Sequence, residues 1–243
     1  MTRWLLVAVT ACGHASVDGA HAIAPTEPDA AQRARDAEIA SRAAPFVDAF
    51  SNTSAVLAPD GRVAFLSTRD GLPQLYVGDV RQPDRPPRRL PTPAERITAP
   101  RLLPDGKTLV FLSDVGADQK FHLFRIGLDG AGLADLSPPG ELRRRAPHVA
   151  RKSGTLVYGA HTLEDPSTRV FVHTVDTPPR EIYRDPKVGF IVDVTADGTR
   201  ALYKRDLSDT SQIVFSLDLT TAALTRLYPP DGEIAGGGDR GAG

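Results

Sequence analysis

Apolar and polar residues alternate in short segments along most of the chain, and these segments recur at a regular interval. Four stretches align with one another, and each contains a turn dipeptide: Asp60-Gly61, Asp105-Gly106, Ser153-Gly154 and Asp197-Gly198. The dipeptides follow one another at intervals of 45, 48 and 44 residues. Self-similarity at such a period is typical of repeat architectures, in which one structural unit is copied along the chain.

The pattern within one repeat predicts four short strands. A strand precedes each dipeptide, whose glycine supplies the positive φ of a tight hairpin. A strand with alternating apolar residues follows, as at Val63 and Phe65, and a polar loop leads to a third strand and a short outer strand. A propeller blade has four strands, which matches the four strands predicted per repeat. A β-sandwich does not repeat the same turn at the same position of a four-strand unit. The sequence therefore predicts an all-β fold, a β-propeller of four-stranded antiparallel blades, with four blades visible over residues 51–232.

Two of the repeats share a more specific string, in which Pro-Asp-Gly and a basic residue precede Phe and Ser. It occurs at Pro59–Ser67 with one gap and at Pro104–Ser113. This string resembles the TolB-type propeller repeat, which also builds the N-terminal propeller of the prolyl oligopeptidase family of serine peptidases. The segments 45–61 and 69–80 resemble the peptidase branch more than TolB itself. The third repeat replaces Pro-Asp-Gly with Arg-Lys-Ser-Gly, and we expect its turn to persist because Gly154 is kept.

The resemblance to the peptidases implies a propeller followed by an α/β-hydrolase domain, whose catalytic serine lies in a G-x-S-x-G elbow. This sequence contains no such elbow, and 16 residues follow Leu227. We therefore expect no catalytic residue, no cofactor and no catalysis by this chain alone. The family uses about six to eight blades, so we expect an incomplete or truncated propeller, the front part of a longer ancestral protein. The alternative is a short protein that closes with four blades or pairs with a second copy.

The first twelve residues have the features of an export signal. Arg3 precedes the apolar run 4–10, which is far shorter than the roughly 18–20 residues of a membrane-spanning helix. The residues Val-Thr-Ala-Cys at 9–12 resemble the bacterial lipobox, and Cys12 is the only cysteine of the chain. This pattern predicts a lipoprotein signal peptide at 1–11 and lipid attachment at Cys12. The alternative is an uncleaved N-terminus with a chance cysteine.

The lipobox resemblance implies a location on the periplasmic side of a bacterial cell envelope, with the membrane as a partner through the lipid anchor. Gly13 gives no clear inner-membrane retention signal, so we expect the outer membrane rather than the inner one.

Three further segments flank the repeats. Residues 12–28 are small and polar and predict a flexible tether, and residues 233–243 form a Gly-rich tail that we expect to be disordered. Residues 29–50 predict a short helical lead-in, with Pro45 expected to weaken or end it. The apolar residues at helical spacing are Ile39, Ala43, Phe46, Val47 and Phe50.

Composition narrows the possible functions. The 29 basic and 30 acidic residues leave a net charge of -1, which argues against a nucleic-acid partner. One cysteine excludes a disulfide framework, and the histidines are too scattered to predict a metal site. Acidic residues in the loops between second and third strands line a face for peptide or are solvated turns: Asp114, Asp118, Glu164, Asp165 and Asp209. The basic run 143–145 is a solvated connector or a contact for an acidic ligand or phospholipid.

Two hypotheses for function remain. In the first, the chain is a non-catalytic exported lipoprotein whose propeller binds a peptide or an envelope protein, with self-association through open blade edges as a further possibility. In the second, it is the substrate-gating propeller of a prolyl oligopeptidase-like serine peptidase, which is inactive without its hydrolase domain.

Overall fold

The computed structural model describes residues 27, 29–93, 95–117, 119–137, 140, 142–208 and 210–230. Cys12, the signal peptide 1–11, most of the tether and the tail 233–243 lie outside these residues. The chain divides into two compact units, Met1–Ala49 and Phe50–Gly243, each of which is described by itself.

The first unit contains a single described helix, α1, over Ala30–Val47. Asp29 caps its N-terminus, because the Asp29 side chain accepts a hydrogen bond of 2.7 Å from the backbone N–H of Gln32. Pro45 lies inside the helix rather than at its end, and no residue of the helix is buried. Among the described residues, no helix has both the length and the apolar character that crossing a membrane requires.

The strands of the second unit form four antiparallel sheets, which we call blades 1 to 4. Blade 1 contains β1 Asn52–Leu57, β2 Arg62–Ser67, β3 Gln74–Asp79 and β4 Arg88–Arg89. Blade 2 contains β5 Ile97–Leu102, β6 Thr108–Ser113, β7 His122–Gly127 and β8 Ala134–Asp135. Blade 3 contains β9 Arg143–Arg144, β10 His148–Val149, β11 Leu156–His161, β12 Thr168–His173 and β13 Arg180–Asp185. Blade 4 contains β14 Gly189–Val194, β15 Arg200–Ser208, β16 Ser211–Asp218 and β17 Leu224–Tyr228.

Consecutive strands pair in chain order within each blade, apart from β9, which adds to β11. One strand of each blade lies on the inner side of the fold. These strands contact one another in turn: β1 contacts β5, β5 contacts β10, and β10 contacts β14. This is the topology of a propeller, so the predicted fold class is confirmed.

The turn dipeptides form the predicted turns. All four glycines have positive φ: Gly61 (86°), Gly106 (67°), Gly154 (73°) and Gly198 (76°). The preceding side chain accepts a hydrogen bond from the backbone two residues on, as in Asp60 with Arg62 at 3.0 Å. Ser153 makes the same contact to Thr155 at 3.3 Å, so the turn of the third repeat persists despite its different sequence.

One aromatic pair crosses the two middle strands of every blade. The ring centroids are 5.5–6.4 Å apart in the pairs Phe65–Tyr76, Phe111–Phe124, Tyr158–Phe171 and Tyr203–Phe215. In blades 2, 3 and 4 this pair packs against the preceding blade and belongs to the apolar cluster that joins the two. The three clusters of the described residues join blades 1 to 2, 2 to 3 and 3 to 4, so these blades form an open arc.

Blade 1 has no preceding blade among the described residues, and its aromatic pair is covered differently. The Arg69 guanidinium lies 4.7 Å from the ring centroid of Tyr76 and 4.8 Å from that of Phe50. Tyr76 is buried beneath this cover, and its hydroxyl donates to Asp70. A cation stacked on aromatic rings thus shields a surface that the other blades cover with aliphatic side chains.

Candidate functional site

Two sets of loops meet at one edge of the arc, which we call the loop edge. Its described residues are 68–73, 114–117, 119–121 and 162–167 in the loops between second and third strands, and 90–93, 95–96, 136–137, 140, 142, 145–147 and 186–188 in the connections between blades. Hydrogen bonds join the two sets: the Ile97 N–H donates to the Pro73 carbonyl at 3.0 Å, and the Gln74 side-chain amide donates to the Glu95 carbonyl at 2.8 Å. Loops on a rigid scaffold are common positions for binding residues.

A groove of about 460 Å³ opens on the loop edge where blades 1 and 2 meet, and we call it the interblade groove. Apolar and charged side chains share its walls: Leu72, Ala117 and Phe121 with Glu95, Arg96, Asp114 and Gln119. Leu72 is 51% exposed and contributes apolar surface to this groove. The groove therefore offers an apolar surface flanked by charges of both signs.

The wall formed by 114–121 has a strained backbone. Ala117, Gln119 and Phe121 have positive φ values of 56°, 62° and 23°, a region that side chains disfavour. Such residues cost on the order of 1–3 kcal/mol each and persist only where their surroundings hold them. Asp114 holds one of them, because its carboxylate accepts a 2.8 Å hydrogen bond from the Gln119 N–H.

Arg144 fixes the other end of this wall. It is only 4% exposed, and its Nη1 donates to the carbonyls of Lys120 (3.3 Å), Phe121 (3.4 Å) and Leu142 (3.0 Å). Burial lowers the pKa of Arg144, and burial raises the pKa of the neighbouring Tyr158 hydroxyl to about 12. Tyr158 therefore stays protonated at neutral pH, and an arginine side chain keeps its charge in proteins. Arg144 is thus a buried cation that ties the loop to the link between blades.

A second groove of about 680 Å³ lies on the loop edge beside blade 4. It is more polar than the interblade groove, since Lys187, Lys204, Asp206 and Gln212 contribute to its lining. Lys204 and Asp206 pair with each other at 3.1 Å. Much of its charge is therefore already matched within the protein.

A buried polar network lies where blade 3 packs against blade 4. The fully buried Asp185 carboxylate accepts hydrogen bonds from Arg205 Nε (2.6 Å) and from the hydroxyls of Tyr203 (3.1 Å) and Tyr183 (3.3 Å). Burial and the Asp185 charge both raise the pKa of Tyr203. Sequence reasoning missed this network, because nothing in the local pattern pairs Asp185 with residues 18 and 20 positions later.

The structure distributes the candidate loop residues unevenly. Asp114 lies in the interblade groove, Asp165 is 3.7 Å from Arg184 on the surface, and Glu164 is exposed. Asp118 and Asp209 lie outside the described residues. Cys12, the predicted lipid attachment site, also lies outside them. Among the described residues, no group of three or more His, Cys, Asp or Glu side chains has an arrangement that could hold a metal ion.

The expectation of a solvated connector at 143–145 is wrong for Arg144, which is buried. Its neighbour Arg145 also leaves solvent in part and lies 4.0 Å above the ring of Phe190. Charge patterning along the sequence cannot distinguish a solvated arginine from one whose partners are backbone carbonyls of another loop.

In sequence, the chain matches no known family profile and no curated protein. In structure, it is similar to a prolyl endopeptidase, with 15% identity and a TM-score of 0.59 over 81% of this chain and 33% of that one. It is also similar to oligopeptidase B from Leishmania major, with 16% identity and a TM-score of 0.55 over 78% and 28% of the two chains. The putative TolB from Agrobacterium tumefaciens has 18% identity and a TM-score of 0.45 over 55% and 50%.

At this level of identity the likeness shows the fold. The second unit has a β-propeller fold similar to that of these two prolyl peptidases. The match spans half or less of the length of each of these solved proteins.

Proposed function

We propose that the chain is an exported, lipid-anchored β-propeller module that binds a peptide or protein segment through its loop edge and performs no chemistry of its own. The interblade groove is the observation that carries this proposal. Its exposed Leu72 and partly buried Phe121 suit an apolar side chain, while Glu95, Arg96 and Asp114 suit the polar groups around it.

The strained and anchored wall of the groove favours binding further. A loop that is already held in one conformation loses little entropy when a ligand arrives. Arg144 and Asp114 hold the wall from its two ends. The groove is therefore prepared for a ligand in the free protein.

Binding is tested by probing an array of random-sequence peptides with the full chain. We expect a set of bound peptides that is lost in Leu72→Asp, because the charge disrupts the apolar floor of the interblade groove. Leu133→Asp is the matched control, since Leu133 is 42% exposed on the opposite edge of the arc, and we expect its set to match the wild type. An array that binds nothing, or two variants that behave alike, would contradict the proposal.

Export and anchoring rest on the pattern at residues 3–12, with Cys12 as the acylated residue. Labelling cells with a fatty-acid probe tests this part. We expect label on the wild-type protein and none on Cys12→Ser. Label that persists in Cys12→Ser, or is absent from both, would rule out this anchor.

A second candidate function is the substrate-gating propeller of a prolyl oligopeptidase-like peptidase. The similarity to a prolyl endopeptidase and to oligopeptidase B over about four fifths of this chain favours it. Under this reading, peptidase activity requires a hydrolase domain supplied in trans, and the chain alone is inert. Activity that appears only when such a domain is added would favour this candidate, whereas no effect of the addition would favour the binding module.

A further inference from the structure

Two adjoining grooves open on the edge opposite the loop edge, which we call the turn edge. Their volumes are about 340 and 250 Å³, and both are lined by Arg62, Leu128 and Asp129. Five cationic side chains of the described residues line the pair: Arg62, Arg85, Arg88, Lys107 and Arg125. The carboxylates that line it are Asp79 and Asp129. Arg62 already pairs with Asp60 at 2.7 Å, so the excess of cations over anions at this place comes from Arg85, Arg88, Lys107 and Arg125, in a chain whose overall charge is -1.

The two carboxylates are already engaged within the protein. Asp79 accepts two hydrogen bonds from the Arg81 side chain, at 2.9 and 2.7 Å, and this arginine lowers the pKa of Asp79 to about 2. Asp129 accepts a 2.9 Å hydrogen bond from the backbone N–H of Ala131. Neither carboxylate forms a close ion pair with Lys107, Arg85 or Arg125 among the described residues.

Arg125 breaks the pattern of the repeat. The strand registers align it with Val77, Val172 and Ser216, which are uncharged. Its Nε is buried without a hydrogen-bond partner among the described residues. Its Nη1 has only a long contact of 3.4 Å to Asp176, whose side chain is 81% exposed. Departures from a local rule tend to mark functional positions, and here the departure introduces a cation with unused donors.

Arg88 gives one wall of the grooves a fixed position. Its Nη2 donates to the carbonyls of Leu128 (3.3 Å) and Asp129 (3.0 Å), so the turn 128–133 is tied to blade 1. Lys107 and Arg62 occupy the same place in their two repeats, directly after the turn glycine, and therefore approach the grooves from neighbouring blades.

We propose that the grooves of the turn edge bind a phosphate group, from a phospholipid headgroup or from a soluble phosphate compound. Guanidinium and ammonium groups converging from two blades provide both the charge and the donors that a phosphate needs. The site is independent of the peptide-binding proposal, because it lies on the other edge and shares no residue with the interblade groove.

The test uses the full chain carrying Cys12→Ser, so that no lipid anchor contributes. Pyrophosphate binding is measured by calorimetry, and flotation compares vesicles of phosphatidylglycerol with vesicles of phosphatidylcholine. We expect at least one probe to bind, with affinity that falls as salt rises. Pyrophosphate binding alone would identify a soluble phosphate as the source, whereas binding selective for phosphatidylglycerol would identify a headgroup.

The variant Lys107→Met/Arg125→Val removes two of the cations. At position 125 it introduces valine, the residue found at the equivalent position in blades 1 and 3. We expect about a tenfold loss of affinity for whichever probe binds, with unchanged thermal stability. Arg151→Val/Lys152→Met is the matched control, because both residues are exposed on the turn edge of blade 3. Should the double variant fail to fold, Lys107→Met alone carries the test. Absence of binding to both probes, or equal losses in variant and control, would overturn the proposal.

Discussion

Gly189 lies at the start of the fourth blade, against the hydroxyl of Tyr203. A Cβ at this position would overlap that hydroxyl, which is itself held by Asp185. By contrast, a Cβ at Gly159 would meet side-chain atoms at 3.6 and 3.8 Å, an ordinary contact. The two glycines therefore differ in what an added methyl group does, although both lie in strands.

We expect Gly189→Ala to lower the free energy of unfolding by about 2–4 kcal/mol, because the clash displaces Tyr203 from the buried network. Gly159→Ala is the control and should change it by less than about 1 kcal/mol. Urea denaturation of both variants measures the difference. Equal losses would show that the packing around Tyr203 is looser than the structure indicates.

His173 is a buried histidine at a position that Ile126 and Leu217 occupy in blades 2 and 4. Its Nδ1 contacts the Thr174 carbonyl at 2.7 Å, and the edge of Tyr158 packs beside it. Burial lowers the pKa of His173 below the 6.5 of an unperturbed histidine. The folded state therefore holds the neutral ring more strongly than the unfolded chain does.

Stability that depends on this ring is present above pH 6.5 and is lost as the pH falls from there towards the lower pKa of the folded state. We expect His173→Leu to lose less stability than the wild type when the pH falls from about 7 to about 5. Thermal melts across this range measure it. A variant as acid-sensitive as the wild type would mean that His173 contributes nothing to the pH dependence.

At this scale the sequence predicts some residues well and others not at all. The turn glycines were predictable because positive φ is a local requirement of the hairpin. Arg144 and Asp185 were not, because their partners belong to distant segments that only the packed blades bring together.

Among the elements, the loop 114–121 shows how a binding wall is held in place. Besides Gly116, three of its residues with positive φ are not glycines (Ala117, Gln119 and Phe121), so tertiary contacts must compensate for the strain at these three. The sequence predicted a polar loop here and no groove, since strain of this kind leaves no local signal. The groove forms only in the folded chain, where Leu72 of blade 1 and Phe121 of blade 2 line the same space.

We expect Arg144→Met to release this loop. Loss of the hydrogen bonds to Lys120 and Phe121 should weaken binding of array-selected peptides about tenfold and expose the loop to protease, while the blades stay folded. Arg143→Met is the control, because Arg143 is only partly buried in the same short strand. Unchanged peptide affinity in Arg144→Met would show that the conformation of the loop 114–121 does not affect peptide binding.

At the scale of the molecule, three interfaces join the four blades among the described residues, and there blades 2 and 3 are packed on both faces and blades 1 and 4 on one. The period and the strand pattern were enough to predict this architecture, because each repeat carries the same local signals. The resemblance to TolB-type repeats agreed with the structural likeness to the prolyl peptidases.

In repeat proteins, stability is shared mainly between neighbours. We therefore expect the backbone amides of β6 and β11 to exchange with deuterium more slowly than those of β2 and β15. Hydrogen exchange read by mass spectrometry measures this order. Uniform protection across all four blades would indicate that the arc unfolds as one unit.

The same exchange measurement, repeated with and without the tightest peptide from the array, tests the central claim that the loop edge is the binding surface. Binding in the interblade groove predicts new protection at 68–73 and 114–121 and none at 128–133 on the turn edge. Protection that is absent from the two loops, or is found at the turn edge instead, would contradict it.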